Sequence, residues 1–200
     1  MFSRIKCNEC CIFIMLRCFV EYQEWLTINY TLPKEPSRVR VNVWRKLKKS
    51  GAVILGQSVW FLPANEENEV NLQKISHEII QNNGTCYIMR MIPQDEGTSA
   101  RIFAAFNQAR DEEYGELLEQ CEELFRELEK ESLLGKYTFA ELEENEDELQ
   151  KLTKWYQKIT ERDFYGASLH PSADEKLELC RARLESFSAE VYKQSDEESH

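Results

Sequence analysis

The sequence predicts an α+β fold. A split βαβ unit, with a four-stranded antiparallel sheet and two helices, comes first, and an acidic all-helical extension of about three helices follows it. Three observations predict this. Between residues 25 and 92 the apolar spacing passes from period 2 to helical spacing and back, twice over. From residue 99 onward only helical spacing remains. The charge divides the same way: residues 21–60 carry seven basic and three acidic side chains, whereas residues 111–200 carry eleven and twenty-six, in a chain of net charge −11. That acidity excludes binding to nucleic acid or anionic lipid over the whole surface, but not a local basic contact.

The first strand spans Trp25–Thr31. Leu26, Ile28, Tyr30 and Leu32 alternate with Trp25, Thr27, Asn29 and Thr31, the pattern of a strand with one buried face. Pro33 ends it, because proline cannot donate to a ladder. Pro36 suits the first turn of a helix that runs to about Lys49. Val39, Val43 and Leu47, with Trp44 beside them, form its apolar stripe, and Gly51 caps its end. Two short apolar runs, 52–55 and 58–62, meet at Gly56-Gln57 as a tight hairpin. Leu72, Ile75, Ile79 and Ile80 mark a second amphipathic helix, stopped by Asn83-Gly84. The run TCYIMRMI at 85–92 is apolar on both faces, which predicts a central strand. The order strand, helix, strand, strand, helix, strand is that of a ferredoxin-like plan.

The predicted organisation is an extra N-terminal tail over 1–20, the sheet domain over 21–95, the helical extension over 99–193 and a frayed tail over 194–200. The extension carries stripes at Leu117, Cys121, Leu124 and Leu128, at Leu142, Leu149, Leu152 and Ile159, and at Leu177, Cys180, Leu184, Phe187 and Val191. Such stripes predict helix-on-helix packing, with Gly115 weakening the first helix. A dense acidic group, Glu143, Glu144, Glu146, Asp147 and Glu148, reads as a solvated face. A four-stranded sheet with helices on one face leaves its other face open, so the extension or a second subunit is expected to cover it.

The first twenty residues, MFSRIKCNECCIFIMLRCFV, hold four of the seven cysteines, at 7, 10, 11 and 18. No second ligand pair follows at zinc-finger spacing, so no metal is expected. The apolar run is broken by Arg17 and falls short of the ~20 residues needed to span a bilayer. It has no small-residue cleavage site of a signal peptide, and the expectation is a disordered tail ahead of a natural start at Met15. Cys86, Cys121 and Cys180 sit on apolar faces without evident partners, which fits a reduced, cytoplasmic setting.

The first helix carries the candidate binding residues: Arg38, Arg40, Trp44, Arg45 and Lys49. Arg38, Arg45 and Lys49 fall within about 40° of one another around the helix, beside Asn42. Arginine forks match oxyanions, so the surface is a candidate contact for phosphate or a similar anion. The alternative is an ordinary solvated face, or arginines that pair with the acidic helices and hold the two halves together. No catalytic signature is present: there is no G-x-S-x-G, P-loop, Rossmann glycine run or H-E-x-x-H, and no cofactor is expected. His170, ahead of Pro171, reads as a turn residue.

The words Y-T-L-P, E-P-S-R-x-R-V, V-W-R-x-L-K-K-x-G-A and S-V-W-x-L-P within residues 25–63 resemble the N-terminal domain of the chromate-resistance protein family ChrB. Q-A-R-D-E-E-Y at 108–114, G-K-Y-T-F-A-E-L-E-E at 135–144 and R-D-F-Y-G at 162–166 extend the resemblance. More distantly, the first half is similar to the ferredoxin-like domain of PaaX-type repressors, though no helix-turn-helix stands ahead of Trp25. The resemblance implies a cytoplasmic, non-enzymatic, chromate-responsive regulator whose longer members carry a further C-terminal domain. The expected partners are chromate or a similar oxyanion, operator DNA and a second copy of the chain, with no membrane. Within its later words, Arg110, Asp111, Tyr114, Arg162 and Asp163 are the candidate supporting or domain-joining residues. Two alternatives stand beside this reading: a protein-interaction domain docking through its acidic helices, and a thiol-dependent chromate reductase using Cys7, Cys10 and Cys11.

Overall fold

A computed structural model describes residues 23–198 apart from residue 57. The expectations for residues 1–20, including the cysteines at 7, 10, 11 and 18 and the start at Met15, lie outside the described residues. The chain is α+β, with four antiparallel strands and five helices among the described residues. In order they are β1 (Trp25–Thr31), α1 (Ser37–Lys49), β2 (Val53–Leu55), β3 (Val59–Pro63), α2 (Glu66–Gln81), β4 (Thr85–Met91), α3 (Glu96–Leu133), α4 (Phe139–Thr160) and α5 (His170–Glu198). The strands lie in the order β2-β3-β1-β4. No helix among the described residues is long and apolar enough to cross a membrane.

Alternation along β1 sends its two sets of side chains into different cores. Leu26 and Ile28 join Val43 and Leu47 of α1, Leu62 of β3 and Leu72, Ile75 and Ile79 of α2. Trp25 points to the other face, where Val53 and Phe61 of the sheet meet Ile102 and Phe106 of α3. The open face is therefore covered over β2, β3 and the start of β1 by the first turns of α3. Phe164 and Tyr165, from the connection between α4 and α5, complete the cover, and the Trp25 indole donates to the Tyr165 hydroxyl at 3.0 Å.

α1 ends where the backbone at Gly51 turns to φ +80°. A side chain at this position is strained, and an added Cβ would also stand 2.8 Å from the Phe164 ring. Asn65, Asp95 and Thr138 cap α2, α3 and α4 by accepting from the amides of Asn68, Thr98 and Glu141. The third core lies wholly among the long helices: Leu117, Leu124 and Leu128 of α3 meet Leu142, Leu152 and Ile159 of α4 and Leu177, Leu184, Phe187 and Val191 of α5.

Several expectations change. β4 is an edge strand, not a central one; its second face looks apolar because Tyr87 and Met89 are left exposed at 65% and 49% beyond the reach of α3. Trp44 is not part of the buried stripe but 48% exposed. α3 passes through Gly115 unbroken, since packing of the stripes outweighs the roughly 1 kcal/mol helix cost of one glycine. His170 is not a turn residue but opens α5, and α5 continues to Glu198, because neither glycine nor proline stops it at Gln194. Cys121 and Cys180 are not partnerless: they face each other across α3 and α5, with the Cys180 thiol donating to the Cys121 carbonyl at 3.3 Å.

Candidate functional site

The five candidate residues of α1 are all exposed, and the buried stripe of Val43 and Leu47 fixes which way they point. They do not form one cluster. Arg38 and Arg45 share a groove of about 630 Å³ with Asn42 of α1, Glu78 of α2 and Asn82 just past its end. Arg40 lies on another side of the helix, where it lines a shallow apolar dish of about 500 Å³ with Tyr30, Ser37, Val41 and Trp44. Lys49 faces a third place. It lines a cleft of about 1110 Å³ between α1, the start of α2 and the α4–α5 connection, together with Lys46, Lys74 and Arg162.

The electrostatics of α1 set it apart. Glu78 takes Asn42 at 2.5 Å and Lys46 at 2.5 Å, and so occupies part of the groove. Among the described residues, the side chains of Arg38, Arg40, Arg45, Lys48 and Lys49 make no ion pair and no hydrogen bond. Many cations elsewhere are engaged, Arg90 with Glu24 and Glu69, Lys130 with Glu127, Lys151 with Glu148 and Lys176 with Glu122, while Lys34, Lys74 and Lys158 stand singly rather than grouped on one helix. The idea that the α1 arginines tie the sheet to the acidic helices does not hold in this geometry. Pro36 at the start of α1 offers no side-chain cap, and the Glu35 carboxylate just ahead of it accepts from the Ser37 amide at 3.3 Å.

The tie is made by the other candidate set, which does converge. Arg162 is its centre. Its Nη1 donates to the Lys48 carbonyl at the end of α1 at 3.4 Å, and its Nη2 to Glu113 of α3 at 2.8 Å. Glu113 is held from its other side by Arg110, with Nη2 at 3.1 Å. Arg110 is 2% exposed, and neither of its terminal nitrogens has a hydrogen-bond acceptor of good geometry. Burial pulls its guanidinium down, the Glu113 carboxylate acts in the opposite direction, and the Arg162 charge adds to the lowering. Asp163 accepts from the Ala167 amide at 2.9 Å and the Tyr114 hydroxyl at 3.4 Å, and pairs with His170 Nδ1 at 3.3 Å. The Tyr114 phenol is fully buried and burial pushes it up to about 12. Its ring stacks on His170 at 5.3 Å and 5°. Asp111 accepts from the Ser168 hydroxyl at 2.9 Å and the Leu169 amide at 2.8 Å.

A family model described as Protein ChrB, N-terminal, matches residues 40–198. The chain belongs to the ChrB N-terminal family. No curated protein and no solved structure matches the chain. Two of the ChrB-like words meet in space: Q-A-R-D-E-E-Y supplies Arg110, Asp111, Glu113 and Tyr114, and R-D-F-Y-G supplies Arg162 and Asp163 against them, with Phe164 and Tyr165 inserted under the sheet. The family match opens at Arg40, inside α1, so Arg38 stands just ahead of it. Sequence reasoning missed Glu113 and Thr160, whose hydroxyl lies 3.4 Å from that of Tyr114, and read His170 as a turn residue. Glu113 lies three residues from Arg110, the spacing of a same-face helical pair, and that signal was available.

Proposed function

We propose that this member of the ChrB family, a chromate-resistance-related protein, is a regulatory module that meets an oxyanion, DNA phosphates or both through α1. The reading is carried by one observation: five cations of a single helix, Arg38, Arg40, Arg45, Lys48 and Lys49, stand unpaired in a chain of net charge −11. In an acidic protein such cations are the natural place for a counter-anion, and the arginine forks favour oxygen ligands. The strand order β2-β3-β1-β4 supports the ferredoxin-like plan for the sheet, and α3–α5 then form its three-helix extension. On this reading chromate and DNA compete for α1, and release of DNA needs no large rearrangement.

The test is binding of the protein to duplex DNA from upstream of its own gene, followed by fluorescence anisotropy at several salt concentrations with and without chromate. A salt-dependent complex that chromate weakens more than sulfate at equal ionic strength supports the reading. No complex, together with no chromate binding by calorimetry, overturns it. A second reading, a protein-interaction domain, is favoured by the tip of the acidic helices. There Leu133, Leu134, Phe139 and Tyr192 are all more than half exposed, and Phe139 meets Tyr192 edge-on at 5.4 Å.

A further inference from the structure

Two cysteines on different helices point at the same spot in the middle of the helical core. Cys121 of α3 and Cys180 of α5 are both fully buried, 59 residues apart in sequence. The Cys180 thiol lies 3.3 Å from the carbonyl oxygen of Cys121, so the side chain of one reaches the backbone of the other. The Cys180 sulfur therefore sits beside the Cys121 backbone, with the two cysteines on facing turns of α3 and α5. Both are free thiols here. Lys176, one turn before Cys180, reaches across to Glu122, the neighbour of Cys121, and its ammonium sits 4.6 Å from the Phe125 ring centroid.

We propose that Cys121 and Cys180 are a redox pair that a hydroperoxide converts to a disulfide joining α3 to α5. The Cys180 thiolate attacks the peroxide oxygen; the O–O bond breaks, water or alcohol leaves, and a sulfenic acid forms. The Cys121 sulfur then displaces hydroxide from that sulfenic sulfur. The S–S bond forms, and the departing hydroxide takes the Cys121 proton as water. Two thiols lose two electrons and one peroxide gains them. Cys180 takes the attacking role because it lies one turn from the Lys176 ammonium; its thiol is held below its usual value, first by the neighbouring Cys121 thiol, then by Lys176, against burial and the Glu122 carboxylate. The disulfide would restrict the unfolded chain and clamp the helical core, leaving the α1 surface untouched.

The experiment uses the reduced full-length chain, treated with hydrogen peroxide under native conditions, then alkylated and digested without reductant. The expected result is a peptide pair linked through Cys121 and Cys180, lost on adding dithiothreitol. With it goes a higher melting temperature that dithiothreitol reverses. Replacing Lys176 with methionine, which leaves both thiols in place but removes the ammonium that favours the Cys180 thiolate, should slow the linkage several-fold. Should C180S fold poorly, the peptide map of the unmodified chain still decides the matter. Linkage of either cysteine mainly to Cys86 or to the N-terminal cysteines would overturn the proposal. So would sulfonic acids at both positions without a linked peptide, or linkage that appears only in denaturant.

Discussion

Two groups of charged side chains sit at either end of the same short path, and they are built in opposite ways. At the joint of α3 with the α4–α5 connection, Arg162, Glu113, Arg110 and Asp163 share partners on three elements and are largely out of water. On α1, one hydrogen bond away through the Lys48 carbonyl, Arg38, Arg40 and Arg45 are exposed and engage nothing in the chain. The contrast separates two uses of charge. Buried and mutually paired, charge specifies how one part of the fold seats on another, and removing one partner strands the rest. Exposed and unpaired, it contributes little to stability and remains free for an anion from outside.

The largest expected effect comes from breaking the joint. Asp163→Ala leaves the Ala167 amide, the Tyr114 hydroxyl and His170 without their acceptor. A loss of about 3 kcal/mol in urea unfolding is expected. A loss under 1 kcal/mol would show that the joint is not held this way. Gly51→Ala comes next. It forces a side chain onto a backbone at φ +80° and against the Phe164 ring, and about 2 kcal/mol of destabilisation is expected from the same measurement.

A third prediction concerns the tip of the helices. Glu131 is buried there and accepts from Asn145 Nδ2 at 2.8 Å; burial first, then the neighbouring Glu141, pushes its carboxyl up to about 7. A carboxyl raised on folding binds its proton more tightly in the folded chain. Its stabilisation is complete below the usual carboxylate range, and it is lost as pH rises through about 7. Glu131→Gln keeps the acceptor and removes the titration. The variant should melt higher than the unmodified chain at pH 8 and equal to it at pH 4. Equal melting at both values would remove the carboxyl pair from the account. The smallest effect is expected on α1 itself: Arg38→Gln with Arg45→Gln should change stability by no more than about 0.5 kcal/mol, read by thermal melting.

The fold was legible wherever an element's own period reports its burial. Alternation in 25–32, the stripe of Val43 and Leu47, Gly51 after α1 and the heptad-like run from Leu177 to Val191 each mark an element without knowledge of its neighbours. What was not legible depended on which elements meet. TCYIMRM is apolar on both faces, yet only knowledge of where α3 crosses the sheet shows that Tyr87 and Met89 stay uncovered. Trp44 adjoins the stripe in sequence, but the helix turns it outward. The pairing of Cys121 with Cys180, 59 residues apart, and of Glu113 with Arg162, 49 residues apart, is a property of three-dimensional contact. The candidate site was half legible: the arginines of α1 were found by residue type and spacing, but their division between a groove and a dish appears only once α2 and β1 are in place.

The central claim is that the free cations of α1 are the working surface and those of the joint are structural. It is tested most directly by the salt dependence of DNA binding for the unmodified chain and the Arg38→Gln, Arg45→Gln variant. Each lost phosphate contact should reduce the slope of log K against log salt by about 0.9. The account predicts a shallower slope by about 2 and weaker binding, at an unchanged melting temperature. An unchanged slope and affinity, above all with a lowered melting temperature, would contradict it.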